Sequence, residues 1–228
     1  MKSSQNPKEF KENQAIGSSE IMTLYHGSKS GIRGAIAPLS RKQCDFGRGF
    51  YMGTEKSQPL TLICNYPHAV LYTLNVDLSG LKILDMEVGL DWALLIAFHR
   101  GKMESVKNSM IYDKFSNLSR NYDIIAGYIA NDRMFMVLDR FFYGEISDLA
   151  LINSLSALRL GKQYVALTEK ACKKIRIVDS HKISEFDREK LKSESMLNRS
   201  KGIAMANEIC RKYRREGRFF DEILKDGE

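Results

Sequence analysis

The apolar stretches of this chain are short, and most of them stop at glycine or at a turn-forming polar group. Ile21-Met22-Thr23-Leu24-Tyr25 alternates as a strand does and is halted by His26-Gly27-Ser28. After a loop rich in Gly, Ser and basic residues, Gly47 and Gly49 frame a second short strand ending at Met52. Further strand-like runs fall at 69–76, 81–84, 123–130, 163–168 and 175–178, the first two joined by a turn at Asp77-Leu78-Ser79-Gly80. Helical stretches lie between some of them: 55–65 behind Thr54 as N-cap, 90–98, 147–160 opened by Ser147 and closed by Gly161, and 169–174. Pro59 is tolerated only near the first turn of its helix. Short strands with helices between some and hairpin-like joins between others predict an α+β domain. Gly47-x-Gly49 lacks the third glycine of a dinucleotide fingerprint and precedes a strand, which disfavours cofactor binding through a doubly wound sheet.

The length of 228 residues suits one sizeable core plus an appendage. Residues 1–20 are polar and aperiodic and are expected as a flexible tail. Residues 21–182 hold the strand pattern, and 183–228 read as a charged helical extension. In that extension Leu191, Met196, Leu197, Ile203, Ala206, Ile209 and Cys210 can dock on the body or on a partner helix, the body being favoured. The longest apolar run, Trp92 to Phe98, is far shorter than the roughly 20 residues of a membrane span. The N-terminal stretch lacks the apolar centre of a secretory signal, and Cys44, Cys64, Cys172 and Cys210 lie far apart. Reduced thiols and a cytoplasmic location without membrane contact are therefore expected. The net charge of +7 permits nucleic acid or acidic partners without selecting them. The densest basic cluster, Arg211 to Arg215, runs straight into Glu216 and reads as a solvated helix face.

Two segments stand out chemically. His26 ends a strand directly before a glycine, which sets an imidazole at a sheet rim, either satisfied by backbone or offered to a ligand. In Asp45-Phe46-Gly47-Arg48-Gly49-Phe50-Tyr51, the glycines allow close backbone approach, and Phe50 and Tyr51 point to opposite faces of a strand. Asn131-Asp132-Arg133 ends an apolar strand, as a turn or as part of a cleft. Cys64 and His68 have the spacing of a metal pair but no companions, so no metal is expected.

Taken together, these motifs resemble the ADP-ribosyltransferase superfamily in its diphtheria-toxin and poly(ADP-ribose) polymerase branch. Leu24-Tyr25-His26-Gly27-Ser28 is similar to that branch's first strand, where a His-Gly-Ser or His-Gly-Thr run meets NAD. Phe46 to Gly53, followed by Lys56-Ser57, resembles its Gly-Lys-Gly-Ile-Tyr-Phe-Ala run and Ser-Lys-Ser helix start. Gln163-Tyr164-Val165-Ala166-Leu167 aligns with the strand that normally opens with the catalytic Glu, and Lys170 to Val178 fits the end of the same fold. The order also resembles an uncharacterised group of bacterial domains with an Asp-Phe-Gly-x-Gly-Phe-Tyr motif, which share the Tyr122 to Arg133 segment between the second and third motifs. The resemblance spans about Met22 to Ser180.

The resemblance implies a split β-sheet core with flanking helices and an NAD site, NAD being the donor substrate. His26 would hydrogen-bond an adenosine ribose hydroxyl, the Gly27 backbone would hold the nicotinamide amide, and Tyr51 would stack on the nicotinamide ring. Ser28 and Gly49 complete the binding shell, while Arg48, Arg133 and Asp132 could reach the pyrophosphate and its surroundings. The catalytic set is His26, Tyr51 and Gln163, with a neutral amide where active relatives carry Glu. Three readings of Gln163 stay open: another acid, Asp132 or Glu145, contributes; the enzyme manages with Gln; or the domain binds nucleotide without efficient turnover. The implied activity is transfer of ADP-ribose to a protein or nucleic-acid acceptor with release of nicotinamide, in a toxin-like or effector role with an antitoxin-like partner. The alternative is a non-catalytic NAD- or nucleotide-binding interaction module.

Overall fold

A computed structural model of the protein describes residues 21–130, 135–157 and 161–226. Strand β1 (Ile21–Ser28) is followed by β2 (Phe50–Gly53), helix α1 (Ser57–Ile63), β3 (Val70–Asp77) and β4 (Ile83–Met86). Helices α2 (Leu90–His99) and α3 (Met110–Leu118) lead to β5 (Ile124–Tyr128). Helices α4 (Phe135–Phe142) and α5 (Asp148–Leu155) precede β6 (Lys162–Ala166), α6 (Glu169–Lys173) and β7 (Ile175–Lys182). The long α7 (Glu185–Lys212) and the short α8 (Phe220–Asp226) close the chain. The fold is α+β: one seven-stranded mixed sheet in the order β4-β5-β6-β2-β1-β3-β7, with helices on its faces.

The join between β3 and β4 is not a hairpin. Asp77 and Gly80 do make a tight turn, with Asp77 Oδ1 accepting the Ser79 N–H at 2.9 Å and Gly80 at φ 66°. The chain then leaves β3 for the opposite edge, where β4 pairs in parallel with β5. Parallel pairing needs a long crossover, and α2 and α3 supply it.

The sheet is nearly split in its middle. β1 pairs with β3 along its whole length, from Ile21↔Asp77 to Ser28↔Val70. Toward β2 it has one register pair, Tyr25↔Gly53. Beyond β2 the ladder resumes with β6 from Phe50↔Ala166 to Gly53↔Gln163, and β6 pairs in turn with β5.

A core lies on each side of this sheet. The larger gathers Trp92, Leu95, Ile96, Phe115, Leu138, Phe141 and Leu151 under Val165 and Ile125. The smaller gathers Leu24, Phe50, Met52, Leu74 and Val76 with Ala171 and Cys172 of α6. Strand alternation sends Phe50 into the smaller core and packs Tyr51 against the larger, so neither ring stands clear of a core.

Ser147 caps α5 as its sequence suggests, its Oγ accepting the Ala150 N–H at 3.3 Å. Thr54 does not cap α1. Its hydroxyl donates instead to the Lys162 carbonyl at 3.1 Å, and its N–H reaches the same oxygen at 3.0 Å, fastening the end of β2 to β6. Helix α7 docks on the body through Ala206 and Cys210, while Met196, Leu197 and Ile203 stay exposed. Among the described residues no helix is long and apolar enough to cross a membrane.

Candidate functional site

The site candidates gather where the sheet splits. Past Tyr25↔Gly53 the strands are linked by a side chain: His26 Nδ1 lies 2.7 Å from the Tyr51 carbonyl oxygen. A carbonyl only accepts, so Nδ1 carries the proton. Burial lowers the His26 pKa below its ordinary value, against a smaller opposing push from the Tyr51 carbonyl. At neutral pH the ring is therefore neutral and Nε2 is an acceptor, without a partner among the described residues. The ring is stacked on Phe50 at 4.2 Å, which fixes its plane.

Gly27 lies two residues past the last β1–β2 pair, at the edge of the gap. A Cβ there would stand 2.9 Å from the Pro59 carbonyl, so the residue also lets α1 close on β1. Ser28 ends the strand, half-buried, opposite Val70.

The glycine loop is a built structure. Gly47, at φ 78°, adopts a backbone conformation that side chains resist. Ser40 accepts the Gly49 N–H at 3.0 Å and donates to the Gly47 carbonyl. The Tyr51 hydroxyl closes the loop from the other end, donating to the Gly47 carbonyl at 2.7 Å and accepting the Phe46 N–H at 3.0 Å. Burial holds this phenol far above its ordinary pKa, so it stays a donor. Arg48 projects from the loop, exposed and without a partner among the described residues. Gly49 crosses β6 so closely that a Cβ would meet Val165 Cγ1 at 2.4 Å.

Gln163 stands on β6 between two glycines, paired with Gly53 on one side and Gly127 on the other. It is 7% exposed. Its Nε2 donates to Asp45 Oδ2 at 3.1 Å, and Asp45 Oδ1 receives Arg100 Nη2 at 2.6 Å and Nε at 3.1 Å. The strand registers put the side chains of Tyr51 and Gln163 on one sheet face and that of His26 on the other. What joins the two sides is the His26 bond to the Tyr51 main chain.

Among the described residues the acid beside Gln163 is Asp45, which sequence alone does not single out. Glu145 is elsewhere: it pairs with Arg140 at 3.2 Å beside a groove along α7. Asp132 and Arg133 fall outside the described residues. His99, which has no companion in sequence, packs where a Gly47 Cβ would be, 2.7 Å from its Nδ1. Its Nε2 is buried without a partner among the described residues, and burial drops its pKa to about 4. Among the described residues no three His, Cys, Asp or Glu side chains are placed to hold a metal. Cys64 donates to the Thr61 carbonyl, and His68 is exposed.

A family model described as a protein of unknown function, DUF3990, matches residues 22–177, and the chain belongs to that family. No curated protein matches it. Among solved structures, a chain from the crystal structure of the M. tuberculosis MbcT-MbcA toxin-antitoxin complex is similar at 8% identity, covering 77% of this chain and 91% of that one with a TM-score of 0.41.

Proposed function

We propose that the protein binds NAD across the β1–β2 split and transfers its ADP-ribose to a macromolecular acceptor. The observation that carries this reading is His26 bridging the split: it donates to Tyr51 O at 2.7 Å and so keeps Nε2 as a neutral acceptor. A ribose hydroxyl is the donor such a nitrogen suits. Arg48, exposed on the adjacent glycine loop, suits a pyrophosphate. The Tyr51 ring, locked through its hydroxyl, offers a fixed face to a cationic nicotinamide.

In the proposed reaction the bond between nicotinamide and ribose C1′ breaks, and its electron pair leaves on nicotinamide. The sugar carries transient positive charge. An acceptor nucleophile then supplies the new bond to C1′ and gives up its proton. Acceleration requires groups that hold the nicotinamide ribose and favour that charge, the role assigned to Gln163, while His26 holds the adenosine ribose. No metal is part of the scheme. The acceptor is a protein or a nucleic acid, in the cytoplasm, and a toxin-like role would bring an antitoxin-like partner.

The second reading is a module that binds NAD or a related nucleotide without turnover; the neutral, buried Gln163 favours it. Incubation with labelled NAD and a cell lysate separates the two. The transferase reading expects label on an acceptor together with free nicotinamide. Neither product, beside a matched active transferase that succeeds, would leave the binding module. Nicotinamide without labelled acceptor would mean hydrolysis by water.

A further inference from the structure

Gln163 is a neutral residue whose orientation is dictated by a charged one. Asp45 is 6% exposed and receives two hydrogen bonds from the Arg100 guanidinium on a single oxygen. A carboxylate held in this way is ionised and can only accept. The Gln163 amide must therefore present its NH₂ to Asp45 Oδ2, which turns its Oε1 the other way. That oxygen has no partner among the described residues. The strand neighbours of Gln163 on both sides are glycines, and the space their side chains would take is filled by Phe46 at Gly127 and by Gln58 at Gly53.

We propose that Asp45 is the positioning residue of the site, holding Gln163 with Oε1 turned to accept a ribose hydroxyl and supplying through the amide the negative charge that position 163 lacks. The inference rests on the NAD reading above. Chained hydrogen bonds polarise one another, so the Asp45 charge strengthens Oε1 as an acceptor. Arg100 keeps that charge in place and stops the carboxylate from rotating.

A reciprocal exchange tests this. Asp45→Asn removes the charge. Gln163→Glu sets two carboxylates within hydrogen-bond distance, and such a pair shares one proton. The double change Asp45→Asn with Gln163→Glu restores one donor facing one carboxylate, with the direction reversed. For nicotinamide release, Asp45→Asn is expected to lower kcat about tenfold to a hundredfold, with KM for NAD within about twofold of the parent. Gln163→Glu is expected to gain an ionisation in its pH profile that the parent and the double variant lack. The double variant is expected to recover at least the parental kcat. A double variant no better than Asp45→Asn, with parental turnover intact, would overturn the positioning role while leaving the NAD reading standing. A parent that binds no NAD in calorimetry would remove the NAD reading and this inference with it. A readout free of ligand keeps the two apart. The Gln163 side-chain amide, assigned by its absence in Gln163→Glu, is expected to resist exchange with water and to lose that protection in Asp45→Asn. An amide unchanged by Asp45→Asn would also overturn the proposal.

Discussion

The ring of Phe46 occupies the space a side chain at position 127 would need. A Cβ on Gly127 would stand 2.6 Å from Phe46 Cζ, with Trp92 behind it at 3.5 Å. Phe46 is fully buried and anchors the glycine loop, with Asp45 one residue before it, against β5. Gly127→Ala is therefore expected to destabilise the protein by about 1–3 kcal/mol, as overpacking a rigid core does. Urea unfolding of the variant checks this; an unchanged midpoint would mean that Phe46 moves aside freely.

The Tyr51 hydroxyl joins two main-chain groups of the loop it follows, the Gly47 carbonyl and the Phe46 N–H. Tyr51→Phe keeps the ring, leaves the Phe46 N–H without its partner and leaves the Gly47 carbonyl with only the longer bond from Ser40. The expected loss is about 1–3 kcal/mol, together with weaker NAD binding from a looser glycine loop. Thermal melting and calorimetry on the same sample measure the two effects.

Burial of His99 dictates a dependence on pH. Its folded pKa, about 4, lies below the ordinary 6.5. Between those values the unfolded chain takes up a proton that the folded one refuses. The contribution is thus complete above pH 6.5 and is lost as the pH falls toward 4, by an amount on the order of 2 kcal/mol. His26, lowered by the same cause, acts in the same direction. The carboxyls of Asp77 and Asp123 are held below their ordinary value, so their losses come at still lower pH. Urea midpoints at pH 7.5 and pH 5 are expected to differ more for the parent than for His99→Phe. Equal differences would show that His99 does not carry the effect.

Arg100 faces a buried carboxylate. Arg100→Leu removes the Nε and Nη2 hydrogen bonds of the guanidinium from Asp45 and leaves the Asp45 charge beside Gln163. A loss of about 2–3 kcal/mol is expected in urea unfolding, the scale of hydrogen bonds to a charged group. The loss is expected to shrink in Asp45→Asn, because the charge that needed the partner is gone. Additive losses would contradict a direct coupling between the two residues.

The strands were legible because each is a short run, alternating in β1 and β3 and continuously apolar in β5, ended by a turn, and local pattern carries that much. Ser147 was legible as a cap for the same reason: its partner lies three residues away. Thr54 misled because its hydroxyl can bond any nearby carbonyl, and the one it finds belongs to Lys162, 108 residues on. The β3–β4 join reads as a hairpin locally, yet β4 pairs with β5, a choice made by tertiary packing. Helix α3 is not legible in the same way: Met110, Ile111 and Tyr112 crowd its first turn, and of its nine residues only Phe115 and Leu118 are buried. At the site, His26, the glycine loop and Gln163 were visible as motifs. Asp45 is part of the loop motif, but its partners Gln163 and Arg100 lie 118 and 55 residues away, and no periodicity reports such a contact.

The central claim is that the β1–β2 split, bridged by His26 and Tyr51, is an NAD site. Isothermal calorimetry with NAD on the parent and on His26→Ala tests it most directly, provided both proteins show cooperative melting. Saturable one-to-one binding by the parent, lost or strongly weakened in His26→Ala, is the result expected. No binding by the folded parent, or binding that His26→Ala leaves unchanged, would contradict it.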